Sequence, residues 1–423
     1  MPYLNSFLFI FLVETKVPAI DELLVEDLAS VGIDLPSRKK MLSCLNREIT
    51  LKDSSDENEE DNGKTESDSD FGHYSTKRKL YLTTERISSM SLYPHPELSL
   101  LAAGDRSGAV HLWFSRDLDD ESQSRQFTFN PHSSQINHVV FNPFTPEKLL
   151  SCGKDGFIRS SDMLTGKVSL VYNWQHFSDD YYSKAVSSIV PRSANELVLS
   201  RWDEQILLFD SRSKRDAKVL AEHVRMSERA DRLTSGSVSF SPKNEHVFAV
   251  PLAAGSIGFF DVRKEMEPVA RLEIAKPMCA LFSPSGDSLF VVGEDKRTGQ
   301  VYKVDEDDFS TEIVSTLEDY LPPLVWGEES KTNAVWMPWI ADGDDELLFA
   351  AAKVKTANVI DKKNFSVGLA VIGAMDGEVH TSVDEALGNN EAVGMVADRA
   401  AKSLVVFNSH DYGSVTLVKS SSG

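Results

Sequence analysis

The chain has few cysteines, and they do not lie at the spacing that binds a metal or forms a redox centre. The three cysteines are odd in number and widely scattered along the chain: Cys44, Cys152 and Cys279. This pattern excludes a disulfide-stabilised scaffold and a cysteine zinc site. It predicts reduced thiols in a cytosolic or nuclear protein.

The sequence also lacks the short motifs that carry common catalytic chemistry. It has no glycine-rich phosphate-binding loop, no G-x-S-x-G nucleophile turn and no H-E-x-x-H zinc motif. The acidic loops Asp117–Glu121 and Asp342–Glu346 lack the ligand spacing of an EF-hand, so we interpret them as solvated turns. We therefore expect no catalytic residue, no metal, no cofactor and no small-molecule substrate, and predict that the chain is not an enzyme.

Positive charge is scarce, and no apolar run is long enough to span a membrane. There are 65 acidic residues against 44 lysines and arginines, which gives a formal net charge of −21. Long-range repulsion therefore opposes non-specific binding to nucleic acid, so any such site must be a local patch. The apolar run at residues 7–13 is too short for a membrane span, and no basic residue precedes Lys16, so no secretory signal is predicted.

The first part of the chain differs from the rest in composition. Residues 19–31 place apolar side chains at helical spacing, which predicts a short amphipathic helix within an N-terminal segment 1–50. These apolar residues are Ile20, Leu23, Leu24, Leu28 and Val31. Residues 51–70 hold nine acids and two lysines, and such a stretch cannot offset the entropy of ordering. The sequence therefore predicts an acidic disordered linker over 51–78.

After residue 79 the chain is built from repeats. Short runs rich in Val, Ile, Leu and Phe alternate with turn residues, as in a domain of many short strands. One recurring element ends in a proline: Pro94, Pro143, Pro191, Pro242 and Pro284. A second element is a tight turn before a strand, with Gly108, Gly156, Glu204, Gly255 and Gly299 at the turn. Both recur roughly every 40–50 residues, slightly more than the ~40–45 of a WD repeat.

Two weaker units, Trp336–Asp361 and Ala392–Val418, bring the number of repeats to seven. One four-stranded blade cannot bury both of its faces, so such blades stack around an axis. The last unit has only three strands, and the run Leu80–Thr83 can supply the fourth. We predict an all-β fold, a seven-bladed WD-repeat β-propeller over residues 79–423, preceded by the short helical N-terminal segment and the acidic linker.

The tight turns contain aspartates whose carboxylates can accept hydrogen bonds from turn backbone N–H groups. They are Asp105, Asp155, Asp203 and Asp295. In the second unit, His132, Ser151 and Asp155 lie where WD repeats place a stabilising polar network, with Ser161 in place of the usual Trp. We interpret His132 as a structural residue rather than a catalytic one.

Cations lie beside these turn aspartates. They are Arg106, Lys154, Arg201 and Lys296, with Trp202 next to Arg201. Because the turns are equivalent in successive blades, we expect these side chains to gather on one rim of one face. Arginine, lysine and an aromatic ring on an otherwise acidic body fit DNA or phosphate as a ligand. The alternative interpretation is that turn positions are simply polar and exposed.

Two arginines follow the aspartate that ends a repeat strand, Arg212 in F-D-S-R and Arg263 in F-D-V-R. The first resembles the W-D-x-R box of WD proteins that serve as substrate receptors for cullin-4 ubiquitin ligases, with Phe in place of Trp. That resemblance implies that Arg212 and Arg263 contact the propeller adaptor of such a ligase. A surface arginine without this role is the alternative.

Two stretches carry a more specific resemblance. RKLYLTTERISSMSLYPHPELSLLAAGDRSGAVHLW (78–113) is similar to the first repeat of the WD repeat-containing protein 76 family, and HSSQINHVVFNPFTPEKLLSCGKDGFIRSSD (132–162) resembles its second repeat. That family is related to the small subunit of the UV-damaged-DNA-binding complex. The resemblance implies a nuclear protein, with a cytoplasmic pool left open, that associates with DNA or chromatin in the DNA damage response and recruits a cullin-4 ligase.

These observations lead to one main hypothesis and two rivals. The main one is a non-enzymatic propeller that binds DNA or chromatin through the predicted cationic rim, with a protein-partner edge at Arg212 and Arg263. The chief rival is a substrate receptor or general scaffold whose ligand is protein rather than DNA. A scaffold in RNA processing or ribosome assembly is the third reading, since propellers serve there as well.

Overall fold

The computed structural model describes most of the repeat region. The described residues are 74–93, 99–115, 124–163, 165–173, 186–201, 204–213, 217–222, 238–253, 255–264, 266–275, 277–293, 299–305, 307–317, 334–337, 346–354, 366–383, 393–398, 403–408 and 413–420. They form 28 strands and no helix. The predicted helix at 19–31, the N-terminal segment 1–50 and the linker up to residue 73 lie outside the described residues and stay predictions.

The strands form seven four-stranded antiparallel sheets, or blades. β1 (Tyr74–Tyr81) precedes blade 1, which is β2 (Ile87–Leu92), β3 (Ser99–Asp105), β4 (Val110–Ser115) and β5 (Arg125–Phe129). Blade 2 is β6 (Ile136–Phe141), β7 (Lys148–Gly153), β8 (Phe157–Asp162) and β9 (Val168–Asn173). Blade 3 is β10 (Val186–Pro191), β11 (Glu196–Arg201), β12 (Ile206–Asp210) and β13 (Lys218–Ala221). Blade 4 is β14 (Ser239–Phe240), β15 (Val247–Leu252), β16 (Ser256–Asp261) and β17 (Ala270–Glu273).

The remaining blades follow the same plan. Blade 5 is β18 (Pro277–Phe282), β19 (Ser288–Gly293), β20 (Gly299–Val304) and β21 (Thr311–Leu317). Blade 6 is β22 (Ala334–Trp336), β23 (Leu347–Val354), β24 (Ser366–Gly373) and β25 (Val379–Val383). Blade 7 is β26 (Val393–Asp398), β27 (Ser403–Asn408), β28 (Ser414–Ser420) and, at its outer edge, β1. We letter the strands of each blade a to d in this order.

Burial distinguishes the two edges of a blade. Strand a of blade 1, β2, is buried at five of its six residues. Strand d of blade 2, β9, begins with three exposed residues, and β5 of blade 1 is also largely exposed. Strand a therefore lies toward the axis of the propeller and strand d at its outer edge, as expected for blades arranged radially.

The apolar core lies between neighbouring blades. Phe248 of blade 4 packs in one buried cluster with Ile206 and Leu220 of blade 3. Phe290 of blade 5 shares another cluster with Trp336 of blade 6. A single blade would expose these surfaces to water, so each blade depends on its neighbours for stability.

Hydrogen bonds also join the a strands of successive blades. A side chain on one a strand accepts the backbone N–H of the next, and this occurs from Val139 to Ser89 Oγ (3.1 Å), from Phe141 to Ser91 Oγ (3.1 Å), from Ile189 to His138 Nδ1 (3.2 Å) and from Phe282 to Ser239 Oγ (2.9 Å). Strand a is the edge of its sheet, so these bonds satisfy backbone N–H groups that face away from strand b. They tie the blades together around the axis.

The ring is closed by pairing the first strand with the last. Leu80 of β1 lies opposite Val415 of β28, and the amide of Leu82 donates to the carbonyl of Gly413 at 2.8 Å. Gly413 has a φ of 63°, and a Cβ there would meet the carbonyl oxygen of Thr83 at 1.7 Å, so only glycine fits. The prediction that the run at Leu80 completes the last blade is confirmed, although its strand begins at Tyr74, before the predicted boundary at residue 79.

Seven blades are confirmed, but blade 6 differs from its predicted repeat. β23 and β24 pair along their whole length, from Leu347 opposite Gly373 to Val354 opposite Ser366. Strand c is therefore Ser366–Gly373, and the predicted repeat-ending Asp361 falls before it, outside the described residues. The long apolar run of β23 contains no turn signal, so the sequence alone placed strand c too early.

Candidate nucleic-acid interface

The two ends of the propeller carry different connections. The b–c turns and the connections between blades lie on one end, which we name the turn face; it includes Leu82–Arg86, Asp105–Ala109, Asn130–Gln135 and Gly153–Gly156. The a–b and c–d turns lie on the other end, the opposite face. Strand c joins the two faces, and its five to eight residues span roughly 16–27 Å.

Arg106 and Lys154 occupy the same position on the turn face of neighbouring blades. The amide of Arg106 donates to the carbonyl of Arg86 at 3.1 Å, and the amide of Lys154 donates to that of Gln135 at 2.8 Å. Each acceptor is the residue just before strand a of the same blade. Both cations are half-buried. The structure thus brings these two predicted residues together on one face, in adjacent blades.

Arg201 lies one position earlier in its turn than predicted. Its amide donates to Gln205 O at 2.9 Å, as the amide of Asp105 donates to Ala109 O at 3.0 Å. Arg201 is therefore the counterpart of Asp105, at the end of β11, and partial burial lowers the pKa of its guanidinium. The counterpart of Arg106 in blade 3 is Trp202, which, like Lys296, lies outside the described residues. The shared rim position is shown for two of the predicted cations.

The predicted polar network of blade 2 is present in the structure. His132 Nδ1 donates to Asp155 Oδ1 at 2.9 Å, because a carboxylate only accepts, and Nε2 lies 2.8 Å from Ser151 Oγ. Arg159 adds a contact from strand c, with Nη1 2.8 Å from Asp155 Oδ2. Burial raises the pKa of Asp155, but hydrogen bonds from His132 and Arg159 bring it below its ordinary value. Ser161, at the position of the usual Trp, is buried, and its hydroxyl has no hydrogen-bond partner among the described residues.

Blade 1 contains a second network, in which the sequence predicts the turn bonds of Asp105 but not its contacts with His111 and Thr83. His111 Nε2 donates to Asp105 Oδ2 at 2.8 Å, and Thr83 Oγ1 donates to the same oxygen at 3.1 Å. Asp105 Oδ1 accepts from the amides of Ser107 and Ala109 at 2.9 and 3.0 Å. Burial raises the pKa of Asp105, but the bonds from His111, Ser107 and Ala109 lower it to about 2. The carboxylate is therefore ionised and fixes the turn.

Two further cations on the turn face were missed. Arg86 lies in the connection before blade 1, half-buried and bonded through its carbonyl to Arg106. Arg159 reaches the turn of blade 2 from strand c and stacks over Phe157 at 4.6 Å. Neither lies in a repeat-defining position, so only the hydrogen bonds of the folded chain reveal them. In blade 3, by contrast, exposed Glu204 and Glu222 make the same face acidic.

Arg212 and Arg263 lie on the opposite face, at the c–d turns of adjacent blades. Each guanidinium forks onto the aspartate two residues before it: Nη2 of Arg212 lies 2.8 Å from Asp210 and Nη2 of Arg263 lies 2.6 Å from Asp261. These bonds lower the pKa of Asp210, and they bring that of Asp261 to about 2. The arginine side chains remain 66% and 60% exposed. They form a matched pair, separate from the turn-face cations.

The described residues contain no group of His, Cys, Asp and Glu side chains arranged to hold a metal ion. Cys152 and Cys279 are buried thiols that form no disulfide within the described residues, and burial raises the pKa of the Cys279 thiol to about 12. A thiol in that state is a poor nucleophile. Across the same described part of the chain, no helix is long and apolar enough to cross a membrane.

Comparison with known proteins agrees with this geometry. The sequence model of the family "WD domain, G-beta repeat" matches residues 123–160, which contain strand d of blade 1, strands a and b of blade 2, most of its strand c and its polar network. The fold is a WD-repeat β-propeller. The β-propeller domain of Cps50 (Swd1) from Myceliophteria thermophila superposes with a TM-score of 0.56 at 13% identity, covering 82% of this chain and 99% of that one. At 13% identity this likeness shows that the two chains share the propeller fold.

Curated relatives narrow the resemblance. WD repeat-containing protein 76 of Xenopus laevis is 29% identical over 192 residues, 44% of this chain and 30% of that protein. The protein of the same name from Mus musculus is 31% identical over 138 residues, 33% of this chain and 20% of that protein. DNA damage-binding protein CMR1 of Phaeosphaeria nodorum is 26% identical over 197 residues, 44% of this chain and 36% of that protein.

The predicted resemblance to the WD repeat-containing protein 76 family is thus confirmed. The matched stretches span about a third of these relatives or less. The propeller is therefore similar in sequence to proteins named WD repeat-containing protein 76 and DNA damage-binding protein CMR1.

Proposed function

We propose that this WD-repeat propeller is a non-enzymatic nuclear protein that binds DNA or chromatin through its turn face in the DNA damage response. The observation that carries the proposal is the equivalent placement of Arg106 and Lys154 in adjacent b–c turns. The relative named DNA damage-binding protein CMR1 supports the same ligand. Arg201, Trp202 and Lys296 belong to the proposed surface.

The charge distribution sets where and how strongly DNA binds. Each phosphate contact releases condensed counterions. A plot of log affinity against log salt concentration therefore becomes steeper by ~0.9 for every contact. The net charge of −21 opposes approach over the whole body, which favours weak binding confined to a local patch. Glu204 and Glu222 oppose phosphate at blade 3, so we assign the main contacts to blades 1 and 2.

The test uses the full chain and a short DNA duplex, intact and UV-irradiated, between 50 and 200 mM salt. Binding is expected to weaken steeply with salt and to be lost in the double variant Arg106→Glu, Lys154→Glu. The matched control is Arg212→Glu with Arg263→Glu, which makes the same charge change on the opposite face. No salt-sensitive binding by the unaltered protein, or equal losses in both double variants, would overturn the proposal.

A second function is favoured by the paired arginines of the opposite face. We propose, as the alternative, a substrate receptor or scaffold in which Arg212 and Arg263 contact the propeller adaptor of a cullin-4 ubiquitin ligase. Their aspartate partners hold both guanidinium groups in one orientation while leaving them more than half exposed. Because both guanidinium groups are already ordered, a partner that binds them loses little side-chain entropy.

The two functions can be separated with the same variants. Purified adaptor should be retained by the unaltered chain and by the turn-face double variant, and lost on Arg212→Ala with Arg263→Ala. A nuclear location that persists in both variants is expected. Adaptor binding that survives loss of both arginines would contradict the receptor function and leave the DNA proposal unaffected.

A further inference from the structure

We propose that Arg212, Lys218 and Arg263 form one docking surface, the basic strip, which binds an extended acidic segment of a partner protein. The strip spans blades 3 and 4 at the opposite face. The inference rests on the protein-binding function proposed for Arg212 and Arg263. It adds Lys218 to that surface and names the chemistry of the partner.

Side-chain and backbone contacts hold the two c–d turns of the strip in a fixed relation. Each turn is bonded to the a–b turn of its own blade: the amide of Ser211 donates to the carbonyl of Asn195 at 2.8 Å, and the amide of Val262 donates to that of His246 at 2.9 Å. The two a–b turns are joined directly, since Arg192 Nη2 donates to His246 Nδ1 at 2.9 Å. The turns that carry the two arginines therefore belong to one connected unit across the blade boundary.

Lys218 carries positive charge across the same boundary. It begins β13, after the c–d connection that contains Arg212, and it is exposed. Its Nζ lies 3.5 Å from the carbonyl oxygen of Val262, the residue directly before Arg263. By sequence, residues 212–218 contain four arginines and lysines and a single acid. The cations of blade 3 therefore continue as far as the arginine of blade 4.

The carboxylates that orient the two arginines are less exposed than the guanidinium groups. The side chains of Asp210 and Asp261 are 31% and 5% exposed, against 66% for Arg212 and 60% for Arg263. Each fork uses Nε and Nη2, and among the described residues Nη1 of either arginine has no hydrogen-bond partner. A partner therefore meets positive charge together with N–H donors that the propeller does not use.

An acidic peptide segment suits this surface for two reasons. The cations lie on two separate sheets, so a ligand with carboxylates spaced along its length can contact more of them than a single small anion can. Met266, in the same turn as Arg263, is 50% exposed, and a flexible apolar side chain suits contact with a peptide. The net charge of −21 opposes a long polyanion such as DNA more strongly than a short acidic segment.

The first experiment measures binding of a fluorescent glutamate-rich peptide to the full chain. The peptide has about 12 residues, which span roughly 40 Å when extended, and the control peptide has glutamine in place of every glutamate. We expect only the glutamate peptide to bind. Lys218→Glu should weaken binding about tenfold, because it places a like charge in the strip, and Lys218→Gln should weaken it less.

The matched control variant is Lys303→Glu, which makes the same charge change at an exposed lysine of strand c in blade 5. It should leave binding of the glutamate peptide unchanged. Thermal unfolding followed by circular dichroism should be the same for the Lys218 and Lys303 variants, which separates lost binding from lost folding. No binding of the glutamate peptide, or equal losses in Lys218→Glu and Lys303→Glu, would overturn the basic strip.

The second experiment adds the ligase adaptor and a DNA duplex to the same set of variants. Adaptor binding that requires both arginines, without any binding of the glutamate peptide, would overturn the acidic-segment inference and leave the receptor function in place. Adaptor binding that survives loss of both arginines would overturn the receptor function itself. A duplex that displaces the peptide, and whose binding is lost in Lys218→Glu, would show that the strip takes nucleic acid and would overturn the inference.

Discussion

The b–c turns of blades 1 and 2 are held by similar polar networks built from different positions. In blade 2 the histidine comes from the connection before strand a, and in blade 1 from strand c. His132 presents Nδ1 to its aspartate, whereas His111 presents Nε2. Asp105 is the counterpart of Gly153, two positions before the counterpart of Asp155. Both turns contain an ionised aspartate that accepts a hydrogen bond from a histidine ring. The histidine can come from the connection before strand a or from strand c.

The difference has a structural consequence. The network of blade 2 lies within that blade and the loop leading into it. The network of blade 1 includes Thr83, which follows the strand that completes blade 7. Blade 1 therefore couples its own turn to closure of the ring, and blade 2 does not.

The largest expected effect comes from breaking that coupling outright. Deleting residues 79–84 removes the end of β1 and Thr83, and it should abolish cooperative thermal unfolding followed by circular dichroism, because blade 7 loses its outer strand. Deleting residues 51–70 is the control and should leave the transition in place. A melting transition unchanged by the first deletion would show that β1 is not needed to close the ring.

A smaller effect separates the two networks. His132→Ala is expected to cost about 3 kcal/mol of unfolding free energy, because it leaves Asp155 and Ser151 without their buried partner. Thr83→Ala should cost about 1 kcal/mol, since it removes the bond to Asp105 and the exposed bond from the amide of Glu85, both made by a half-buried side chain. Denaturant unfolding measures both, with exposed Thr84→Ala as a control near zero. Equal losses of unfolding free energy in His132→Ala and Thr83→Ala would contradict a stronger contribution from the buried histidine of blade 2.

Acid should weaken the network of blade 1. The folded pKa of Asp105 is about 2, below its ordinary 3.8, so its contribution to stability is present above the ordinary value and is lost as pH falls toward 2. The contribution is about 2 kcal/mol, roughly half of it lost by pH 3. Unfolding free energies of wild type and Asp105→Asn should therefore converge between pH 5 and pH 2. If the two unfolding free energies differ by the same amount at every pH, ionisation of the Asp105 carboxylate is not the source of the difference.

A small effect is also expected at the cation of blade 2. Arg159→Ala removes the bonds to Asp155 and to the carbonyl of Pro131, and the stacking on Phe157, from a side chain that is 23% exposed, and should cost about 1 kcal/mol. Arg125→Ala on the outer strand of blade 1 should cost less. A loss as large as that of His132→Ala would mean that Arg159 supports Asp155 as strongly as the histidine does.

The sequence predicts the blades better than the surface they carry. Turn residues and strand-ending prolines act locally, so their spacing indicates five units. Two weaker units complete the seven, and the three strands of the last unit indicate that the run at Leu80 closes the ring. Arg106 follows its turn aspartate, whereas Lys154 and Arg201 precede theirs, so lying beside an aspartate does not define one position. Counted back from the turn residue, Arg106 and Lys154 are equivalent and Arg201 lies one residue earlier.

The missed residues have the same physical cause. Arg86 and Arg159 lie outside the repeat signature, in a connection and within a strand, and they reach the turn face through contacts with residues distant in sequence. A pattern based on spacing cannot detect such contacts. The long apolar run of β23 similarly contained no signal for where blade 6 turns.

The pairing of β1 with β28 also dictates the order of assembly. Of the described strands, β1 is synthesised first and β28 last, so the strand edge of β1 and the apolar Leu80 and Leu82 wait unpaired until the other six blades have been made. Unpaired edges of this kind are sites of aggregation. A chain shortened by a few residues at Ser414–Ser420 would keep every other blade and still leave its earliest strand exposed to chaperones and proteases.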